Sequence, residues 1–374
     1  MTTLRTWSTV LLVACAGVLM PAFASALPFI GPFNMVDTIA STVPGNGDLN
    51  PYGTAVVPRT MGHLVQGNVL VSNFNDMNND QGTGTTIVEI APNGSTQLFA
   101  QIDPAAVPAC RGGIGLTTAL VVLRAGWVIV GSLPTANGMA ATAQAGCLLV
   151  LNSSGRVVEV IKGSPINGPW DMTAADFGTF VVLFVTNVLN GTVAASPGVV
   201  NKGTVVRINL VIGDGDNDAD DQNAVPHVLT RTVIGSGFGE RTDPDALVIG
   251  PTGVGLGANG TLYVADTLAN RIAAIPNALS RFSSAGTGKT VTVDGSLNAP
   301  LGLAIAPGGD ILTVNAGDGN IVETTPGGAQ VAVKTLDSSG SPPGAGALFG
   351  LAITPSGNGV YFVDDATNEL DLLH

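Results

Sequence analysis

The sequence predicts an all-β protein: a six-bladed β-propeller of four-stranded antiparallel blades, with the last blade closed by a strand from the N-terminus. Three observations carry that expectation. The 374 residues include 50 Gly and 23 Pro but only 11 % charged and 45 % hydrophobic residues, the composition of many short strands joined by tight turns rather than of a disordered chain. No stretch sustains a 3.6-residue apolar period, which argues against a parallel α/β fold. One unit also recurs: a strand, a Gly-containing turn, a second strand ending in Asn, Asp or Ser, then a polar turn into a third strand. Its markers Asn73, Ser132, Asn187, Asp266, Asn315 and Asp364 are separated by 59, 55, 79, 49 and 49 residues, a spacing of the size that propeller blades give.

Taken in order, the chain opens with Arg5, an apolar run over residues 10–20, then Pro21 and the small-residue site Ala24-Ser25-Ala26. This reads as a signal peptide, residues 1–26, ahead of a single propeller over 27–374. The run is too short for a stable membrane span. Leu12-Val13-Ala14-Cys15 also fits a lipoprotein box, so the expectation is a secreted or periplasmic protein, with a lipid anchor through Cys15 as the alternative.

A lone strand carrying Met35, Val36, Thr38 and Ile39 comes next. The first unit starts at Pro51-Tyr52-Gly53 and turns at Asn93-Gly94, a strong hairpin signal. The second holds Trp127 to Ser132 and Cys147 to Leu151; the third holds Pro169-Trp170-Asp171 and Val182 to Asn187. A long insertion, about residues 189–247, accounts for the one wide gap. The fourth unit is the most regular, the fifth runs from Pro300-Leu301-Gly302 to Val333, and the sixth supplies three strands before the chain stops. The missing fourth strand and the unpaired first one answer each other: residues 35–42 complete the last blade and remove two exposed edges.

The formal charge is −13, from 14 Lys plus Arg against 27 Asp plus Glu. Such a field repels phosphate backbones and argues against nucleic acid, while suiting cations. Without Cys15, two cysteines remain. Cys110 and Cys147 fall within one unit and read as a disulfide in an exported chain, or else as two separate buried thiols.

For chemistry, Asp171 stands out because it occupies the position that is Gly in most other units. Antiparallel pairing brings the ends of the second strands to the same face of the disc, so Asp171, Asn187, Asp266 and Asp364 form a candidate channel-face site for Ca²⁺ or another divalent cation. The competing reading is that an Asp or Asn at a strand end caps its own turn, which better explains its repetition. Asp214, Asp216, Asp218 and Asp220 alternate as in calcium loops, but Ala219 and Val225 stand where Gly and Glu are needed. This leaves a loose surface Ca²⁺ loop or a solvated acidic turn. His63, His227 and His374 lie in different regions and assemble no zinc site. No Gly-x-Ser-x-Gly elbow is present. The Asn-rich stretch over residues 73–86 offers many amides, as the rim of a binding face or as a loop that satisfies its own backbone.

Pro251-Thr252-Gly253, Gly260-Thr261-Leu262-Tyr263-Val264-Ala265-Asp266 and Asn270-Arg271-Ile272 together resemble the NHL-repeat family of propellers. Pro300-Leu301-Gly302 with Asn315, and Pro51-Tyr52-Gly53 with Asn73, match in part. The resemblance spans nearly the whole chain after residue 26 and implies a propeller fold; its members include scaffolds, binding domains and a few lyases. The channel-facing carboxylates are also similar to those of gluconolactonase-like propellers, which hold one divalent ion. The expectation is therefore an exported monomeric binding or scaffold module for a protein, peptide or carbohydrate partner. The alternative is a divalent-metal-dependent hydrolase or lyase with its site over the central channel.

Overall fold

In the computed structural model, which describes residues 27–213 and 225–374, the repeated unit becomes a blade six times over. The signal-peptide reading, Cys15 and the Asp214 to Asp220 run lie outside the described residues. Blade one comprises Leu49–Val56, Val69–Asn75, Thr86–Ile90 and Thr96–Gln101 from the hub outwards. Blade two comprises Leu116–Val122, Val128–Ser132, Cys147–Leu151 and Val157–Ile161. Blade four comprises Pro251–Leu256, Leu262–Asp266, Arg271–Ile275 and Lys289–Val293, and blade five Pro300–Ile305, Ile311–Asn315, Asn320–Thr324 and Gln330–Thr335.

The middle strands are buried on both faces, as Val128–Ser132 and Cys147–Leu151 are throughout. Each blade is sandwiched between its neighbours, and their continuous Val/Ile/Leu runs supply both surfaces. One such layer joins Leu70 and Ile87 of blade one to Leu116, Val130 and Leu149 of blade two. The outer strands alternate, as in Gln330–Thr335, because one of their faces meets water.

Blade six consists of Leu348–Ile353, Val360–Asp364 and Glu369–Leu373, completed by Val36–Ser41 as its outermost strand. The register runs from Val36 opposite Leu373 to Ser41 opposite Glu369. A second tie reinforces the closure. The fully buried Glu323 accepts the N–H groups of Phe29 at 2.6 Å and Ile30 at 2.8 Å, drawing residues just ahead of the closing strand against blade five.

Blade three departs from the pattern. Its strands Pro169–Asp176 and Phe180–Asn187 are followed by Val200–Val211, His227–Asp243 and a fifth, Leu247–Ile249. The extra residues after Asn187 therefore lengthen the blade's own outer strands, and the short fifth strand pairs with the end of the fourth, Arg241 opposite Ile249. Cys110 and Cys147 form a disulfide with Cα atoms 5.7 Å apart, tying the segment that leads into blade two to that blade's third strand. No helix among the described residues is long and apolar enough to cross a membrane.

At the hub the six inner strands pass very close to one another. A Cβ on Gly302 would strike the carbonyl of Phe349, and one on Gly350 the carbonyl of Tyr52. Glycine at these places lets the ring tighten to six blades.

Candidate functional site: the central channel

The inner strands surround a channel whose two ends are unlike. At the end where those strands begin, Tyr52 stacks between Phe349, 3.8 Å away by ring centroids, and Phe74, 4.6 Å away. Trp170 lies 6.2 Å from Phe349 and donates its indole N–H to the carbonyl of Val248 at 2.9 Å. Leu247, Val248 and Ile249, the short fifth strand of blade three, pack into the same cluster with Leu301. Apolar rings from three blades thus close this end.

Below the plug is a cavity of about 410 Å³, lined by the later residues of all six inner strands, Leu120, Val254, Leu303 and Leu351 among them. Its far rim carries Arg124 and Asp176, where the Arg124 backbone N–H donates to Asp176 at 2.7 Å. Phe177 and Phe180 beside it, 62 % and 37 % exposed, stack with centroids 6.5 Å apart.

One ionisable side chain sits deep in this lining. At the third position of each inner-strand start the blades carry Gly53, Thr118, Asp171, Gly253, Gly302 and Gly350. Asp171 is 8 % exposed and lines the cavity. One carboxylate oxygen accepts the N–H of Met172 at 2.7 Å, and the other reaches blade four to accept the N–H of Val254 at 2.9 Å. Burial raises its pKa to about 7, against the opposing pull of those two N–H bonds. The lost hydration outweighs two fixed donors, and near neutral pH the group exists in both protonation states.

The other channel-face candidates share the disc face with Asp171 but do not join it. Antiparallel register places each marker opposite the start of its inner strand: Pro169 with Asn187, Pro251 with Asp266 and, two residues into its strand, Pro51 with Asn73. They belong to second strands, one strand further from the axis, and none lines the cavity. Asn187 accepts the Asn167 N–H at 3.2 Å; Asp266 pairs with Arg271 at 2.8 Å; Asp364 accepts the Ala366 N–H at 2.9 Å. Asn73, Asn315 and Ser132 make comparable bonds to Thr42, Ser296 and Gly115. Each side chain holds the connection around its own strand end.

The channel does not fit a resident divalent ion. Both oxygens of Asp171 already serve backbone N–H groups, its neighbours in the lining are aliphatic or Thr, and Asp176 at the rim accepts Gly178 and Arg124. Among the described residues, no group of three or more His, Cys, Asp or Glu is placed to hold a metal. His374 instead contacts Asp37 on the outer edge of blade six at 2.9 Å. Among the buried acids that sequence reasoning missed is Glu240 on the long fourth strand of blade three. It accepts Asn190 at 3.0 Å, and burial lifts its pKa to about 8. Only the strand's exceptional length, visible once register is known, places it inside.

No protein-family model matches the chain, and no curated protein matches it. Solved structures do. A gluconolactonase from Xanthomonas campestris superposes with a TM-score of 0.54 at 12 % identity, covering 90 % of this chain and 88 % of its own. The calcium-binding protein regucalcin from Agrobacterium tumefaciens gives 0.53 at 13 %, over 89 % and 92 %. A luciferin-regenerating enzyme gives 0.58 at 10 %, over 91 % and 94 %. At these identities the likeness establishes the six-bladed propeller fold that the chain shares with them.

Proposed function

We propose that the chain is a hydrolase or lyase whose site is the central channel and whose acid–base group is Asp171. The observation that carries this reading is the single carboxyl deep in the channel cavity, with its pKa brought to about 7 by burial. A general base works best when its pKa lies near the working pH. A lining of aliphatic side chains interleaved with Thr54, Thr118 and Thr173 suits a small uncharged molecule that carries both apolar and hydrogen-bonding groups, which points to the lactone or ester class. Propellers of the same fold that act on small molecules, such as the gluconolactonase, support an enzymatic reading over a pure scaffold.

In such a reaction the ionised Asp171 takes a proton from a water molecule as that water's oxygen bonds to the carbonyl carbon. The carbon–oxygen ring bond then breaks, and Asp171 returns the proton to the departing alkoxide. The net change is addition of one water. The N–H groups of Met172 and Val254 hold the carboxylate in place and leave each oxygen a second lone pair for this work. The aromatic plug keeps bulk water from the opposite end, so the substrate enters past Arg124 and Asp176.

The test is hydrolysis of a panel of uncharged lactones by the chain from Leu27 onward, followed by pH-stat. Turnover that survives EDTA and is lost in Asp171→Asn supports the reading. A channel that retains a lactone without turning it over returns the protein to the binding modules.

A further inference from the structure

The disc face above the aromatic plug holds a second, polar pocket of about 260 Å³. Its wall brings together Asn75 and Gln81 of the Asn-rich loop in blade one, Asp245 of the blade-three extension and Asp365 just after the second strand of blade six. The hydroxyl of Tyr52, the plug's central ring, lies beneath and donates to the Asp245 carbonyl at 3.5 Å.

The pocket is rich in acceptors and poor in donors. Asn75 is 1 % exposed, and its amide nitrogen donates to the Asn79 carbonyl at 3.3 Å and to Asn79 Oδ1 at 2.7 Å. A carbonyl only accepts, so this pairing fixes which end of the amide is nitrogen and leaves Oδ1 buried without a partner. Gln81 repeats the arrangement: its nitrogen donates to the Pro244 carbonyl at 2.6 Å, and its Oε1 is likewise buried and unpartnered. Among the described residues no donor and no cation reaches the carboxylates of Asp245 or Asp365. Arg241, on the same extension of blade three, is engaged with Asp243 at 2.9 Å. Asp365 is held well above the usual carboxylate range by burial and by its neighbours Asp364, Asp245 and Asp337.

We propose that this pocket is a hard-cation site of the Ca²⁺ class, ligated by Asn75 Oδ1, Gln81 Oε1 and the carboxylates of Asp245 and Asp365. Two orphaned amide oxygens and two uncompensated carboxylates form an all-oxygen set of mixed charge, which suits Ca²⁺. Backbone carbonyls and water complete the coordination. The site is separate from the channel and does not depend on the reading of Asp171. Bound there, the ion fastens blades one, three and six together over the plug and removes the mutual repulsion of the acids.

The experiment uses the chain from Leu27 onward, stripped with EDTA, with Tb³⁺ as probe because Tyr52 lies close enough to sensitise its luminescence. The expected result is a saturable Tb³⁺ signal, displaced by Ca²⁺ and at least tenfold less readily by Mg²⁺, which demands a stricter octahedral shell. In Asp245→Asn/Asp365→Asn the signal falls at least tenfold while the thermal transition measured in EDTA does not drop, since the exchange removes like charges and keeps the shape. Three results would overturn the proposal: no Ca²⁺-sensitive signal; a signal unchanged in that double variant; or one abolished instead by Asp214→Asn/Asp216→Asn/Asp218→Asn.

Discussion

Blades three and four are neighbours built on one plan, and their differences separate what makes the wheel from what gives it a working part. Blade four follows the plan throughout: Gly253 lets the blade-five backbone approach, and Asp266 pairs with Arg271 at its strand end. Blade three keeps the register yet replaces the glycine with Asp171, adds Trp170 to the plug and lengthens its outer strands. The regular blade carries no ionisable side chain into the cavity. The irregular one leaves a carboxyl facing a cavity. A repeated fold needs repetition for closure, and chemistry enters where one copy breaks the rule.

Exchanging the distinguishing residue is the harshest way to break that contrast. Gly253→Asp should yield no stably folded protein, since a Cβ there meets the backbone of Leu301, Gly302 and Leu303. A cost above about 3 kcal/mol is expected from such overpacking. The reverse change, Asp171→Gly, should fold, with circular dichroism and a cooperative thermal transition retained. Next in size is the effect of Asp171→Asn on lactone turnover. A general base contributes roughly 10²–10⁴ in rate, so kcat should fall by about that factor while Asp266→Asn leaves the rate within about threefold.

A smaller effect comes from the strand ends. Arg271→Ala leaves the buried Asp266 carboxylate without its partner and should cost about 3 kcal/mol in urea unfolding. In blade three Asn187→Ala removes two neutral hydrogen bonds, one accepted from the Asn167 N–H and a long one donated to the Val185 carbonyl at 3.4 Å, about 1–2 kcal/mol together. Equal losses would mean the two ends are built alike.

The gentlest probe is pH. Asp171 is raised to about 7, Glu240 to about 8, and Asp364 and Asp371 each to about 6, all mainly by burial. A carboxyl raised by folding holds its proton in the native state after the unfolded chain has released it. Its contribution is therefore fully present below the unfolded pKa and is lost as pH rises through the folded value. The thermal midpoint should decline from about pH 4 to about pH 8. Asp171→Asn with Glu240→Gln should flatten the upper part of that slope, and an unchanged slope would place these acids in water.

The wheel was legible in the sequence because its cause is local. The six Asn, Asp and Ser markers lie opposite the first residue of an inner strand in five blades and opposite the third, Pro51, in blade one, near the turns they cap. The closing strand was legible from an arithmetic of edges, and the Cys110–Cys147 pair from its confinement to one blade. Asp171 could be singled out because it interrupts a glycine column. Periodicity does not reveal which side chains from different blades meet. Tyr52, Phe74, Trp170 and Phe349 stack across the channel end only because closure brings blades one, three and six together. The same holds for Asn75, Gln81, Asp245 and Asp365 above them. The supposed channel-face set failed to converge for a related reason: sharing a face of the disc does not bring second-strand side chains to the axis.

The account rests most heavily on the state of Asp171, and carboxyl ¹³C NMR titration of the folded protein reads it directly. The expected result is a resonance with its midpoint near pH 7, assigned by its disappearance in Asp171→Asn. An assigned Asp171 resonance titrating near pH 4, as a solvated aspartate does, would contradict the claim that the channel holds a buried acid–base group.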